Sequence, residues 1–154
     1  MQQAAYSLIP EFQKQQTHFK IGELLLEHTP AEEIEEKIFD IVNQLNVGAD
    51  FITDQAKKDR LAGLNLIAGR KAKAATAYET AARQLRVGLE LLREDSWETQ
   101  YDLTFLLYAE ATAVDFLNIN FERAKSFLRR LSNTRKLCSK KLKFMKSICD
   151  RQLC

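Results

Sequence analysis

Glycine and proline are scarce in this chain, five and two among 154 residues. That scarcity excludes a fold built on many tight turns and points to long helices with short connections. No run approaches 18 apolar residues, so no membrane-spanning helix is expected. The first thirty residues lack the basic start and apolar core of a secretory signal, and the expected location is the cytoplasm. No window alternates β-branched with polar residues, so no strand is expected.

Chemistry-bearing residues are equally sparse. His18 and His28 are not at i, i+4 on one helix face, and no Cys or carboxylate stands near them at metal-ligand spacing. Cys138, Cys149 and Cys154 fit neither a zinc ribbon nor a Cys-x-x-Cys pair. Gly69-Arg70-Lys71 lacks the Gly-x4-Gly-Lys-Ser/Thr frame of a phosphate loop and reads as a helix turn. Glu32, Glu33, Glu35 and Glu36 read as a solvated helix face with no pocket to raise a carboxyl pKa. No catalytic, cofactor-binding or metal-ligating residue is assigned, and neither a cofactor nor a small-molecule substrate is expected.

What the chain does hold is helical periodicity. In the alanine-rich stretch Ala74, Ala77, Tyr78, Ala81, Leu85, Gly88, Leu89 and Leu92 recur at steps of three and four, which places them along one face. Gly88 within a helix costs about 1 kcal/mol against Ala, and a closely crossing neighbour helix would account for it. Ala74, Ala77, Ala81, Leu85, Leu107 and Val114 are the expected core. Other helices are expected over about 10–27, from a Thr29-Pro30-Ala31-Glu32 capping box to about 45, over 50–68, and over 72–92. Ser96 to Leu117 is apolar almost all round and reads as an inner helix, followed by another over 121–131. The fold class is all-α, with antiparallel helix hairpins stacked as an α-solenoid like that of the tetratricopeptide repeat (TPR). The TPR period is about 34 residues.

The net charge of +2 conceals a division. Residues 1–128 carry 14 Lys and Arg against 20 Asp and Glu, whereas 129–154 carry nine against one. Three regions are expected: N-terminal helices over 1–48, a TPR-like repeat region over 49–128, and a basic tail over 129–154. The tail mixes Lys and Arg with Leu, Phe, Ile and Met, which leaves a nucleic-acid or membrane-surface role as an alternative.

Whole segments carry a more specific signal: EEIEEKIFDIVNQLN, LNLIAGRKAKAATAYETAARQL, SWETQYDL and NINFERA. They resemble the helical region that follows the AAA/STAND-type predicted ATPase in large bacterial signalling proteins. Those proteins join a serine/threonine protein kinase, that ATPase, a TPR-like region, often a GAF sensor, and a histidine kinase. The resemblance covers residues 2 to about 125. It implies a non-catalytic scaffold segment with protein partners, namely neighbouring domains or a peptide ligand, because the kinase and ATPase motifs match nothing here. A free-standing TPR-like adaptor is the alternative. The resemblance begins in mid-helix at Gln2 and stops near Ser126, so a fragment is expected, with a tail read out of frame. Codons can be chosen for Lys136–Ile148 that, shifted by two bases, spell a continuation similar to the family's.

Overall fold

The computed structural model describes residues 10–133, and all regular structure there is helical. The helices are α1 (Glu11–His28), α2 (Ile38–Val47), α3 (Gln55–Ala74), α4 (Tyr78–Glu90), the single turn α5 (Ser96–Thr99) and α6 (Tyr101–Leu117). A further helix, α7, occupies 121–133, and 3-10 turns lie at Ala31–Glu33 and Ala49–Phe51.

Helices α1 and α2 pair, as do α3 and α4, and successive pairs stack: α2 lies on α3, and α4 on α6. Two apolar clusters result. One joins Ile38, Ile41, Val42 and Leu45 to Leu61, Leu64 and Ala68. The other joins Ala62, Ala81, Leu85 and Leu107 to Ala111 and Val114. Close approach is made at glycines. A Cβ on Gly22 would fall 2.7 Å from Leu45, and one on Gly69 2.5 Å from Leu85. Gly88 meets the crossing helix that its position implies, since a Cβ there would lie 2.8 Å from Leu107 and 3.4 Å from the Ala62 carbonyl oxygen.

Several boundaries differ from the sequence reading. The second turn falls at Ala75-Thr76-Ala77, not at Gly69–Lys71, because Gly69 serves helix packing while α3 continues to Ala74. Ala74 and Ala77 therefore lie at an exposed turn, and Ala72 takes the core place. Ala81, Leu85, Leu107 and Val114 are fully buried, as expected. Thr29 does not cap a helix: it closes α1, and α2 begins only at Ile38. The intervening segment is held open by Lys71, whose ammonium donates to the carbonyl oxygens of Glu35 and Glu36 at 2.6 and 2.9 Å. In a continuous helix those carbonyls would instead accept from backbone N–H groups four residues on. The helix expected over 96–117 breaks at Gln100, whose extended φ of −140° separates α5 from α6. The cysteines, the part of the basic tail beyond residue 133 that is expected to be read out of frame, and the first nine residues lie outside the described residues.

A repeat emerges at the turns. Among the described residues, Thr76 and Ile119 are the two non-glycine residues with positive φ, at 60° and 58°, and they stand 43 positions apart. Most of the backbone hydrogen bonds around them correspond. Ala77 N–H donates to Ala72 at 2.9 Å, and Asn120 N–H to Asp115 at 2.7 Å. Ala81 N–H donates to Ala77 at 2.9 Å, and Ala124 N–H to Asn120 at 3.1 Å. The buried pairs Leu64/Leu107, Ala68/Ala111 and Ala81/Ala124 follow the same offset of 43. This spacing is longer than the period of about 34 of a tetratricopeptide repeat and falls in the range of about 40–47 of other helical repeats.

Candidate functional site

The polar residues that converge in the interior are committed to one another. Asn46 in α2 and Asn65 in α3 exchange amide hydrogen bonds, each at 2.9 Å. Asn46 also donates to Gln84 Oε1 in α4 at 3.0 Å, and Gln84 donates to Asn43 at 3.2 Å. Asn65 completes its donors on the Leu61 carbonyl at 3.0 Å. A satisfied amide network of this kind fixes the register of three helices and leaves no group aimed at a ligand.

The charged residues are used in the same way. Arg70 Nε lies 2.8 Å from Glu110, and Lys73 also pairs with that carboxylate, so α3 is tied to α6. Burial pushes the Glu110 carboxyl upward, but the hydrogen bonds and charges of Lys73 and Arg70 outweigh it and hold the group below its ordinary value. Arg70 and Lys71, which the sequence places in a turn, thus both brace helices. His18 contacts Gln44 at 2.5 Å and His28 the Leu24 carbonyl at 2.8 Å, two separate environments. Among the described residues, no group of three or more His, Cys, Asp or Glu gathers around a common point.

Asp115 differs from these. Its residue is 3% exposed, yet Oδ1 has no hydrogen-bond partner among the described residues. Burial raises its carboxyl above the ordinary value, and the nearby charges of Arg123, 3.7 Å away, and Arg86 offset that only in part.

Among the described residues, a cleft and an apolar patch offer contact area. A small cleft between α1 and α3, about 150 Å³, has Phe19, Leu26, Leu61 and Leu64 in its walls and Lys57 and Arg60 at its rim. The Lys57–Glu23 pair, 2.8 Å long, spans it. That volume is well below the roughly 300–1,000 Å³ of a typical small-molecule site. The second surface surrounds the α6–α7 connection, where Phe116 is 62% exposed and Ile119 76%, with Leu117, Phe121 and Leu128 also open. Isolated exposed apolar residues are ordinary, but neighbouring ones mark contact surfaces. The sequence shows these residues as helix and turn positions. Their exposure depends on what packs beside them, so only the stack reveals it.

The chain is 27% identical over 154 residues to "Hybrid signal transduction histidine kinase G" of Dictyostelium discoideum. It is similar to a segment of a signalling protein. The match takes in 84% of this chain and only 4% of that relative's length. No family model and no solved structure matches.

Proposed function

We propose that this chain acts as a non-catalytic helical scaffold within a multi-domain signal-transduction protein. In this reading the hairpins, though spaced by 43 residues and not by about 34, form a TPR-like helical region of the kind that follows an AAA/STAND-type ATPase, and transmit contact between neighbouring domains. One observation carries it: the apolar surface of Phe116, Leu117, Ile119 and Phe121 at the last described hairpin. A helical repeat covers such a face with the next unit, because each unit cannot bury its apolar side alone. The similarity to a small part of a much longer signalling protein supports the same reading.

The expected behaviour of the isolated chain is self-association through that face. Sedimentation velocity over a range of concentrations measures it directly. The triple variant Phe116→Ser, Ile119→Ser, Phe121→Ser should shift the chain toward monomer while circular dichroism retains its helicity. A wild-type chain that stays monomeric at every concentration would overturn the proposal. The free-standing adaptor draws less support, because the convergent asparagines are consumed in the interior and the cleft beside α1 is small.

A further inference from the structure

The rings of Trp97, Tyr101, Phe105, Tyr108 and Phe127 form an unbroken series. Trp97 lies 5.2 Å from Tyr108 and 6.0 Å from Tyr101, centroid to centroid. Tyr101 stacks on Phe105 at 6.0 Å, and Tyr108 meets Phe127 edge-on at 5.6 Å. The inner part of this ladder already receives a cation. The Arg130 guanidinium lies 5.9 Å from the Tyr108 centroid and donates to the Tyr108 hydroxyl at 2.7 Å.

Among the described residues, no cation lies over the outer part. Trp97 and Tyr101 are half-buried and Phe105 is 38% exposed. Interleaved with them in the chain are Glu94, Glu98 and Asp102, all exposed. Among the described residues none of these three carboxylates pairs with a Lys or Arg, and Arg93 is turned to Asp95 at 3.1 Å. Phe105 stands eleven residues before Phe116, about 16 Å along α6, so this strip is separate from the apolar end face.

We infer that the Trp97–Tyr101–Phe105 strip docks a basic segment of a partner protein. An arginine or lysine side chain lies across the exposed Phe105 ring and its half-buried neighbours, and Glu98 and Asp102 receive its charge. The face of an aromatic ring attracts a cation, and Trp and Tyr provide the stronger contacts. These carboxylates set the sign of the partner: they repel nucleic-acid phosphates and anionic lipid, and attract a polycationic chain.

Trp97 is the sole tryptophan, so its emission reports from within the strip. The test titrates the full chain with a peptide of about twelve residues alternating alanine and arginine, against a glutamate counterpart. The basic peptide should produce a saturable change in Trp97 emission, and the acidic one none. Affinity should fall about tenfold or more when salt is raised to about 0.5 M. The double variant Glu98→Gln, Asp102→Asn should weaken binding about fivefold. Phe105→Leu, which keeps apolar bulk and removes the ring, should weaken it by a smaller factor. The charge-matched control Glu32→Gln, Glu35→Gln, placed between α1 and α2, should leave affinity unchanged. Equal loss in the control and in the double variant would reduce the effect to net charge and overturn the inference, as would an unchanged emission.

Discussion

Leu85 in α4 and Leu128 in α7 occupy equivalent places, 43 residues apart in hairpins with the same turn, yet Leu85 is fully buried and Leu128 half exposed. Backbone geometry does not distinguish them. The α3–α4 hairpin has α2 on one side and α6 on the other, so its inner and outer faces are both covered. The α6–α7 hairpin is covered by α4, and the apolar surface at its turn remains open. In a stack of hairpins, the stability contributed by a residue depends on its neighbours as much as on its own helix.

The sharpest way to break this equivalence is truncation at both places. Leu85→Ala should destabilise by about 3 kcal/mol, since it empties a site that also packs against Gly69. Leu128→Ala should change stability by less than about 0.5 kcal/mol. Urea unfolding of the two variants measures the contrast. Similar losses at both would show that α7 is covered after all.

A smaller effect tests what the hairpins share. Thr76 and Ile119 are β-branched residues with positive φ, a conformation that glycine adopts without steric cost. Thr76→Gly and Ile119→Gly should each stabilise by about 1 kcal/mol, in contrast to the leucine pair. Thermal melts that move in opposite directions would refute the equivalence of the turns.

The smallest effect concerns charge. Asp115 and Glu110 lie on the same helix and respond oppositely to acid. The raised value of Asp115 means that the fold favours its protonated form, so its contribution becomes more favourable as pH falls through that value. Glu110 is lowered, so its contribution is present above the unfolded value and is lost as pH falls through the folded one. Asp115→Asn should therefore stabilise the fold at neutral pH by on the order of 0.5 kcal/mol, read as a higher melting temperature, with the gain shrinking as pH falls. A variant less stable than wild type at pH 7 would show that Arg123 and Arg86 outweigh the burial of the carboxylate.

Much of the helical character was legible in the residues. Spacings of three and four around Ala81, Leu85, Leu107 and Val114 put those residues in the core, and Gly88 required a close neighbour. Both follow from helix geometry, which is local. The turn at Thr76 was not legible, because Gly69 looked like punctuation while its role is to admit Leu85. The 43-residue repeat was hidden for a related reason: its positions hold Ala72 against Asp115 and Leu85 against Leu128, so side-chain chemistry changes while most of the backbone hydrogen bonding does not. The candidate surfaces were the least legible part, since Phe105 and Phe116 sit on a helix that reads as apolar all round.

The sequence by itself determined that the described chain is helical, that its apolar faces must be buried in pairs, and that its acidic residues lie apart from a basic tail. These follow from periodicity, from the scarcity of glycine and proline, and from charge. Only the tertiary structure decided which apolar residues stay exposed, which amides satisfy one another, and which buried carboxylate oxygens are left without a hydrogen bond. Those outcomes depend on pairs far apart in the chain, such as Asn46 with Asn65 or Arg70 with Glu110, and distance in space is not a property of local sequence.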